Sequence, residues 1–344
     1  MARSSVSLTD VARHAGVSPQ TVSRVSNGGS GVLEPTRRRV LASMAALRYR
    51  PNSAARALKR GSFRSIAVVL STLDSTGNTR LLRGVVESAV PAGYTVTVLT
   101  VDMQSRESLD GASLRLHEAA VDGVILVAEA ESAGVLPLDQ FSDDPLVIVA
   151  SREREAFAVV DSDQAGGTRS AVRHLLGLGH ETVHHVMGAE TSHAARRRME
   201  EWRAALDEEG REIPAVVRGD WSADSGFEAG MELASEPGVT AVFVANDEMA
   251  LGLLRAFGQR GIRVPQDVSV VGFDDLSTAG NFPPPLTTVR QDFDEIGRRS
   301  VQRVLAQVGG EPWEPGLDLV PTELVVREST GPAPGGAVTR PRRS

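Results

Sequence analysis

The chain has 344 residues, of which 41% are hydrophobic and none is cysteine, and its formal net charge is −7. This length exceeds one ordinary domain, and no apolar run approaches the roughly 18 residues of a membrane helix, so a membrane protein and a disulfide-stapled protein are both disfavoured. Because the first 20 residues also lack the apolar core of a signal peptide, we expect a cytoplasmic protein of two or three domains.

The charge is concentrated at one end of the chain. Residues 1–64 carry twelve basic and two acidic side chains, a net of about +10, which leaves about −17 on the remainder. A basic segment ahead of an acidic body is typical of a nucleic-acid-binding head on a separate domain. The alternative is a generic solvated surface, and the local motifs decide between the two.

Two short helices joined by a glycine are predicted at the N-terminus. Ser7 and Asp10 are spaced as a capping box for the first helix, and Gly16 ends it. Ser18 can cap the second helix, with Pro19 at its first position. Two helices around a glycine turn form a helix-turn-helix, which places its second helix in the major groove of DNA.

The second helix presents polar side chains opposite Val22 and Val25, which fall on one apolar face. In the major groove arginine pairs with guanine and glutamine with adenine, and short polar side chains suit phosphate oxygens. The DNA contacts expected from this helix and the residue just after it are Ser18, Pro19, Gln20, Thr21, Ser23, Arg24 and Asn27.

The runs LTDVARHAGVSPQTVSRVSNG at 8–28 and RYRPNSAARALKRG at 48–61 resemble the DNA-binding region of the LacI/GalR (lac-repressor and galactose-repressor) family. The resemblance implies a third helix at about residues 35–47 and a headpiece over residues 1–50. It also implies that residues 51–64 are a hinge, helical on DNA, with a leucine that enters the minor groove. The hinge residues implied to contact DNA are Asn52, Ala55, Arg56 and Leu58, and the alternative for Leu58 is a buried core residue.

Behind residue 64, short β-branched runs alternate with helix-length segments. The runs are SIAVVLS, YTVTVLTV, DGVILVA and PLVIVA and, after about residue 160, HETVHHVMG, PAVVRG, TAVFVAND and VSVVGFDD. They predict an α/β core of two lobes, each a doubly wound parallel sheet, like that of a periplasmic binding protein. Such sheets bind ligands beyond the carboxyl ends of their strands, so we expect a small-molecule site between the lobes.

One segment of this core matches a metal motif. His180–His184 reads HETVH, and the H-E-x-x-H motif binds zinc when both histidines share one helical face. Four residues span about 6 Å along a helix and about 13 Å along a strand. Gly177 and Gly179 precede the segment and its β-branched residues favour a strand. We therefore expect a loop that leads into a strand, with no metal and no cofactor.

The family resemblance continues from residue 65 to about residue 326. The runs AND at 245–247, VSVVGFDD at 268–275 and PPLTTVRQD at 284–292 match family landmarks, and GDWSADSGF at 219–227 is most like the lac-repressor branch. The resemblance implies polar groups that converge on sugar hydroxyls and an aromatic ring that stacks on the sugar. The implied contacts are Ser71, Arg198, Asn246, Asp274 and Gln291, with Trp221 as the stacking ring. The alternative for Trp221 is a partly exposed packing residue.

Two departures and the C-terminus limit what the resemblance implies. Ala150 and Ser151 stand where many sugar-binding relatives have a carboxylate, and Glu201 precedes Trp202 where a glycine is common, so the sugar stays unnamed. Residues 331–344 are rich in proline and glycine and hold no leucine heptad. We expect them to be a disordered tail, behind an effector-binding and dimerisation domain over residues 65–330, and we expect a dimer rather than a tetramer.

These patterns leave three classes of function. The first is a transcriptional repressor that binds a palindromic operator as a homodimer and leaves it when a galactoside-like sugar binds; in a variant of this class the effector is a corepressor or an activator. The second is a sugar-binding transport protein, which would not need the basic head. The third is an enzyme, and we find no catalytic set in the sequence. The first class accounts for head, hinge and sensor together, so we predict a regulator that is not an enzyme.

Overall fold

The structure is a computed structural model that describes residues 6–26, 29–49, 61–102, 105, 111, 114–116, 118–128, 145–149, 157–311 and 314–335. The chain divides into two compact units, residues 1–64 and residues 65–344. Within the described ranges no helix is both long and apolar enough to cross a membrane. Seven residues discussed above lie outside the described ranges: Asn27, Asn52, Ala55, Arg56, Leu58, Ala150 and Ser151.

The described part of the first unit forms the helices α1 (Leu8–Ala15), α2 (Pro19–Ser26) and α3 (Glu34–Ala46). The capping box of α1 is present, because Ser7 Oγ accepts from the Asp10 N–H over 3.3 Å and Asp10 Oδ2 accepts from the Ser7 N–H over 3.0 Å. Gly16 ends α1 with a φ of 63°, a left-handed conformation that glycine adopts at little cost. The predicted helix-turn-helix and its third helix are confirmed.

The elements of the second unit are, in chain order, β1 (Ser65–Leu70), α4 (Thr76–Ala89), β2 (Thr95–Thr100), β3 (Gly123–Val127), β4 (Leu146–Val149), β5 (Ala158–Ser162), α5 (Gln164–Gly177), β6 (His184–Met187), α6 (His193–Glu208), β7 (Val217–Arg218), α7 (Ala223–Leu233), β8 (Ala241–Val244), α8 (Asp247–Gln259), β9 (Ser269–Asp274), β10 (Thr287–Arg290), α9 (Phe293–Val308), β11 (Gly316–Val320) and β12 (Glu323–Val325).

These strands form two six-stranded sheets, in the orders β11-β5-β4-β3-β1-β2 and β12-β10-β9-β8-β6-β7. All strand pairs of the first sheet are parallel. Strands β1, β3, β4 and β5 are buried at every position, as expected for parallel strands covered on both faces. The second sheet is parallel apart from β12, which runs antiparallel to β10. The two predicted doubly wound lobes are confirmed, with this antiparallel edge as the difference.

The chain passes between the two lobes at three places. It crosses from β5 to α5, from β10 to α9, and from β11 to β12. Helix α9 returns to pack against α4 of the first lobe, where its Val301 and Val304 join the core formed by β1, β3 and β4. The residues at the crossings therefore lie beside both lobes.

The HETVH segment is a loop followed by a strand, as predicted, because His180 precedes β6 and His184 begins it. His180 Nδ1 lies 3.0 Å from Thr240 Oγ1, and its Nε2 lies 3.0 Å from Ser269 Oγ. His184 Nε2 lies 3.6 Å from Glu236 Oε1. The two histidines therefore contact different protein groups.

The C-terminal end of the described chain departs from the predicted disorder. The Gly331 N–H donates to Ser269 Oγ over 3.0 Å, and the Ala333 N–H donates to the Leu178 carbonyl over 3.0 Å. A tail that begins at residue 331 is therefore the wrong boundary, because backbone hydrogen bonds hold these residues against the second lobe. Residues 336–344 lie outside the described ranges.

Candidate DNA-binding and effector sites

Helix α2 turns its predicted reading face outward. Val22 and Val25 are at most 4% exposed and pack into the small core of the three helices. Gln20 and Arg24 are exposed on the other side. Of the remaining predicted contacts in this helix and at its cap, Ser18 and Pro19 are exposed, and Thr21 and Ser23 are half-buried. Because Val22 and Val25 are buried, the amide of Gln20 and the guanidinium of Arg24 project from the opposite, exposed side of α2.

The start and end of α2 are held by local hydrogen bonds. Ser18 Oγ accepts from the Thr21 N–H over 3.2 Å and lies 2.9 Å from Thr21 Oγ1, which confirms Ser18 as the cap. Beyond the helix, the Gly29 N–H donates to the Arg24 carbonyl over 2.9 Å. Arg37 of α3 donates to the Gly29 carbonyl over 2.6 Å. These contacts fix both ends of the helix that carries Gln20 and Arg24.

A cavity of about 380 Å³ lies between the two lobes of the second unit. Five of the six predicted effector contacts line it, namely Arg198, Trp221, Asn246, Asp274 and Gln291. Ser71 is not among the lining residues, and the next residue, Thr72, takes that place after β1. Pockets of this size, with a few convergent polar groups, are typical of small-molecule sites.

Arg198 is the central cation of the cavity. It lies on α6, is 3% exposed, and its guanidinium carbon stacks 3.7 Å from the centroid of the Phe273 ring. Its Nε donates to Gln164 Oε1 over 2.8 Å, one terminal nitrogen donates to the Ala245 carbonyl, and the other lies 3.8 Å from Asp274 Oδ1. Burial lowers the pKa of Arg198 to about 10, against the opposing field of Asp274, Asp161 and Asp247, so the side chain is charged at neutral pH.

Asp274 ends β9 and joins Arg198 to the crossing segments. Gln291 Nε2 donates to Asp274 Oδ1 over 2.6 Å, and Gln164 Nε2 donates to Gln291 Oε1 over 3.2 Å. Burial raises the pKa of Asp274 to about 6, an effect that Arg198 and Gln291 partly offset. The φ of Asp274 is 112°, a conformation costly for a residue with a Cβ, of order 1–3 kcal/mol. Arg80 of α4 donates to the Asp274 carbonyl over 3.1 Å and thereby contacts the strained residue from the first lobe.

Trp221 lies beside this network, over a glycine. A Cβ built on Gly188 would come within 2.4 Å of the Trp221 ring, so the ring covers a position that only glycine leaves open. Trp221 has a φ of 81°, and its carbonyl accepts from Asn246 Nδ2 over 3.0 Å. Asn246 Oδ1 accepts from the Met249 N–H over 2.9 Å and so caps α8. Asn246 therefore positions Trp221 as well as lining the cavity.

A second buried carboxyl lies directly after Asn246. Asp247 is fully buried; its Oδ1 accepts from Thr288 Oγ1 over 2.5 Å, and its Oδ2 accepts from the Leu276 N–H over 2.8 Å. Burial raises the pKa of Asp247 to about 8, with a further rise from the charge of Asp274. The group is therefore largely protonated at neutral pH and contributes little charge to the cavity.

The structure adds residues that the sequence analysis did not single out. Gln164 follows the first crossing and contacts both Arg198 and Gln291. Asp161 and Ser162 end β5 and line the cavity. Thr76 of the first lobe donates its hydroxyl proton to Glu248 of the second, and both residues line the cavity. Three of these, Asp161, Ser162 and Gln164, stand at or beside the end of a strand for which the sequence carried no strand prediction.

A basic three-helix head followed by two largely parallel sheets around a polar cavity defines a ligand-responsive DNA-binding regulator. Residues 7–52 match the model of bacterial regulatory proteins of the lacI family, and residues 172–330 match that of the periplasmic binding protein-like domain. The lactose operon repressor of Escherichia coli (strain K12) is 36% identical over 339 residues, covering 98% of this chain and 94% of the relative. The chain belongs to the lacI family and is a DNA-binding transcriptional repressor with a cavity for a sugar or another small-molecule effector.

Further relatives and solved structures match the chain over most of its length. The HTH-type transcriptional repressor PurR of Photobacterium profundum is 31% identical, covering 94% of this chain and 98% of the relative. The lac repressor in the crystal structure of its dimer bound to operator and the anti-inducer ONPF is 36% identical in sequence to this chain. The two structures superpose with a TM-score of 0.88 over 95% of this chain and all of that one. The transcriptional regulator CelR, in its complex with cellobiose, is 32% identical in sequence to this chain, with a TM-score of 0.70 over 94% of this chain and 99% of that one.

Proposed function

We propose that this repressor binds a palindromic operator as a homodimer and leaves it when a small, galactoside-like sugar fills the cavity between its lobes. The observation that carries the proposal is the hydrogen-bonded set Arg198, Asp274, Gln291 and Gln164 beside the ring of Trp221. A charged donor, a carboxylate acceptor and an aromatic face are what a sugar needs, since its hydroxyls both donate and accept and one face of its ring is apolar.

The proposed mechanism is a linkage between two sites. A sugar would bind to Arg198 and Asp274. Arg198 is hydrogen-bonded to Gln164 and Asp274 to Gln291, and these two glutamines lie where the chain crosses between the lobes. Binding therefore favours one arrangement of the lobes, and in a dimer that arrangement separates the two hinge segments 51–64. Operator and sugar then weaken each other by the same factor. Leu58 is the proposed minor-groove residue of the hinge, and its test is a DNA-bending assay on Leu58→Ala.

The proposal has two alternatives. A corepressor would bind in the same cavity but would raise operator affinity instead of lowering it. A transport or enzymatic role leaves the outward-facing Gln20 and Arg24 of α2 without a use, and the relatives above are transcriptional regulators. We therefore propose that the protein acts on DNA in the cytoplasm and is not an enzyme.

The experiment has three steps on the full chain. A thermal-shift screen of neutral mono- and disaccharides finds the effector, because a ligand of the native state raises the melting temperature. Calorimetry then measures its affinity, and an operator titration with and without it gives the sign of the linkage. We expect operator affinity to fall when the sugar is added. A rise would identify a corepressor.

Two variants connect the sugar effect to the proposed site. Arg198→Ala and Asp274→Asn should bind operator as the parent does, yet need far more sugar for release, because each removes a buried partner worth about 1–3 kcal/mol. Arg260→Ala, at the end of α8 and exposed, is the matched control and should behave as the parent. Unchanged sugar affinity in both cavity variants would place the effector site elsewhere.

A further inference from the structure

The cavity that the proposed function uses is strongly acidic. Among the described residues that line it, the only Arg or Lys is Arg198, while the carboxyl side chains are Asp74, Asp161, Asp220, Glu248 and Asp274. A cleft lined by one sign of charge focuses its field on whatever enters it. A neutral sugar gains nothing from this excess, and an anionic one is repelled.

The single guanidinium does not offset the excess. Arg198 donates to Gln164 and to the Ala245 carbonyl, lies 3.8 Å from Asp274, and stacks on Phe273. Its one positive charge interacts with Asp274, Asp161 and Asp247 together, and its donors are directed largely to the protein. The carboxyl groups that line the cavity still outnumber this one cation, with Asp161 and Glu248 less exposed and Asp74 and Asp220 at exposed positions.

The end of β5 offers a second polar position in the same cavity. Asp161 is 4% exposed and Ser162 is 1% exposed. Ser162 Oγ is buried and has no hydrogen-bond partner among the described residues. Asp161 Oδ1 accepts from the Ser162 N–H over 2.7 Å, and Asp161 Oδ2 lies 3.8 Å from His193 Nε2. A buried hydroxyl without a partner is costly unless a ligand or a water molecule supplies one, so this hydroxyl points independently to a bound group.

We propose that the effector is an amino sugar whose ammonium group binds Asp161 and Ser162 at the end of β5. The ammonium donates to an Asp161 carboxylate oxygen and to Ser162 Oγ, which satisfies the buried hydroxyl. The remaining hydroxyls of the same sugar reach the Arg198 and Asp274 side of the cavity. This inference rests on the proposed function, since it assumes that a sugar enters this cavity, and it adds the charge that the sugar carries.

The test uses matched sugars on the full-length protein at pH 7. Calorimetry compares galactosamine with galactose and N-acetylgalactosamine, and glucosamine with glucose and N-acetylglucosamine. In at least one set the amine should bind about tenfold more tightly than both uncharged members, because a partly desolvated charge pair is formed only there. The preference should shrink between about 50 mM and about 500 mM NaCl, since salt screens the field at the cavity mouth.

Three variants locate the preference. Asp161→Asn keeps an oxygen for the Ser162 N–H and removes the charge, so it should lose the preference for the amine while binding operator normally. Ser162→Ala should lower the affinity for the amino sugar by a smaller factor than Asp161→Asn does. Because it keeps Asp161, it also tests the subsite if Asp161→Asn does not fold. Asp207→Asn, the same change at an exposed position of α6 that does not line the cavity, is the control and should keep the preference.

The outcomes separate this inference from the proposed function. If a neutral sugar binds as tightly as its amine and releases operator, the sugar-induced repressor stands and the amino-sugar assignment is overturned. If neither amine binds at all, the assignment is overturned as well, and the neutral-sugar screen alone decides the proposed function. A tenfold preference that survives in Asp161→Asn would also refute the subsite.

Discussion

Gln164 Nε2 donates to Gln291 Oε1 over 3.2 Å, and the two amides stand at the first two crossings between the lobes. The other end of each amide reaches a charged residue of the cavity, since Gln164 Oε1 accepts from Arg198 and Gln291 Nε2 donates to Asp274. A ligand that moves either charged residue therefore displaces a group bonded directly to a crossing segment. This gives the effector cavity a short physical connection to the relative position of the lobes.

Removing the Gln164 amide should lower both the stability of the protein and its affinity for the effector. Gln164→Ala leaves the Arg198 Nε–H and Gln291 Oε1 buried without their partner, at about 1–3 kcal/mol in the free energy of unfolding. Urea unfolding measures that loss, and calorimetry with the effector measures the weaker binding. Gln302→Ala, on the exposed face of α9, is the matched control and should change neither quantity. Equal behaviour of the two variants would mean that the amide bridge contributes nothing.

The glycine under Trp221 gives a second prediction. Gly188→Ala places a Cβ within 2.4 Å of the indole ring, so the ring has to move and the stacking face of the cavity moves with it. We expect weaker effector binding and a loss of stability of about 1–3 kcal/mol, as for other overpacked sites. Gly258→Ala in α8 has no atom within 4 Å of the new Cβ and should be neutral or stabilising. A parental effector affinity in Gly188→Ala would show that Trp221 is a packing residue.

The headpiece was predictable because its signals are local. Ser7, Asp10, Gly16 and Ser18 act within one helical turn of their own positions, and the valine spacing of α2 decides its buried face. The strands β1–β4 and β6–β9 were predictable for a related reason, because runs of β-branched residues are the mark of buried parallel strands. The family resemblance implied Asn246 and Asp274 as effector contacts, and each stands at the end of such a run.

The rest of the cavity depends on contacts that no short segment contains. Strand β5 reads AVVDS and β10 reads TTVR, short runs with polar residues, so neither gave a strand prediction, and Asp161, Ser162 and Gln164 were missed with β5. Gln164 gains its role from Arg198 and Gln291, which are 34 and 127 residues away. Ser71 is not among the residues that line the cavity, whereas its neighbour Thr72 is.

The exposed guanidinium of α2 predicts a loss of base reading. Arg24→Ala should weaken binding to the cognate palindrome by about 1–3 kcal/mol and leave binding to random duplex much less affected, because a bidentate contact to guanine exists only at the specific site. Titrations of both duplexes at one salt concentration measure the two losses. Arg13→Ala on α1, also exposed, is the comparison for a general loss of charge. An equal loss on both duplexes in Arg24→Ala would assign Arg24 to phosphate.

The buried carboxyl of Asp247 predicts how stability depends on pH. Burial raises its pKa in the folded protein to about 8 from a usual value of 3.8, so between these values the unfolded chain has released a proton that the folded protein keeps. The unfolded state is then favoured increasingly as the pH rises, and the stability contributed by this group falls from about pH 4 to about pH 8. Asp247→Asn removes the titration, and its amide can still accept from the Leu276 N–H and donate to Thr288.

The free energy of unfolding of Asp247→Asn should therefore increase relative to that of the parent as the pH rises. We expect the free energy of unfolding of Asp247→Asn, relative to the parent, to increase by on the order of a few kcal/mol between pH 5 and pH 8, because one unit of pKa shift corresponds to about 1.4 kcal/mol. Asp267→Asn is the matched control, since its ion pair with Arg263 lowers the pKa of Asp267 to about 2, which places its titration below this window. Urea unfolding at pH 5, 6, 7 and 8 measures all three proteins. A difference between Asp247→Asn and the parent that stays constant across this range would show that Asp247 is ionised in the folded protein throughout, and that its contacts with Thr288 and Leu276 stabilise the charge.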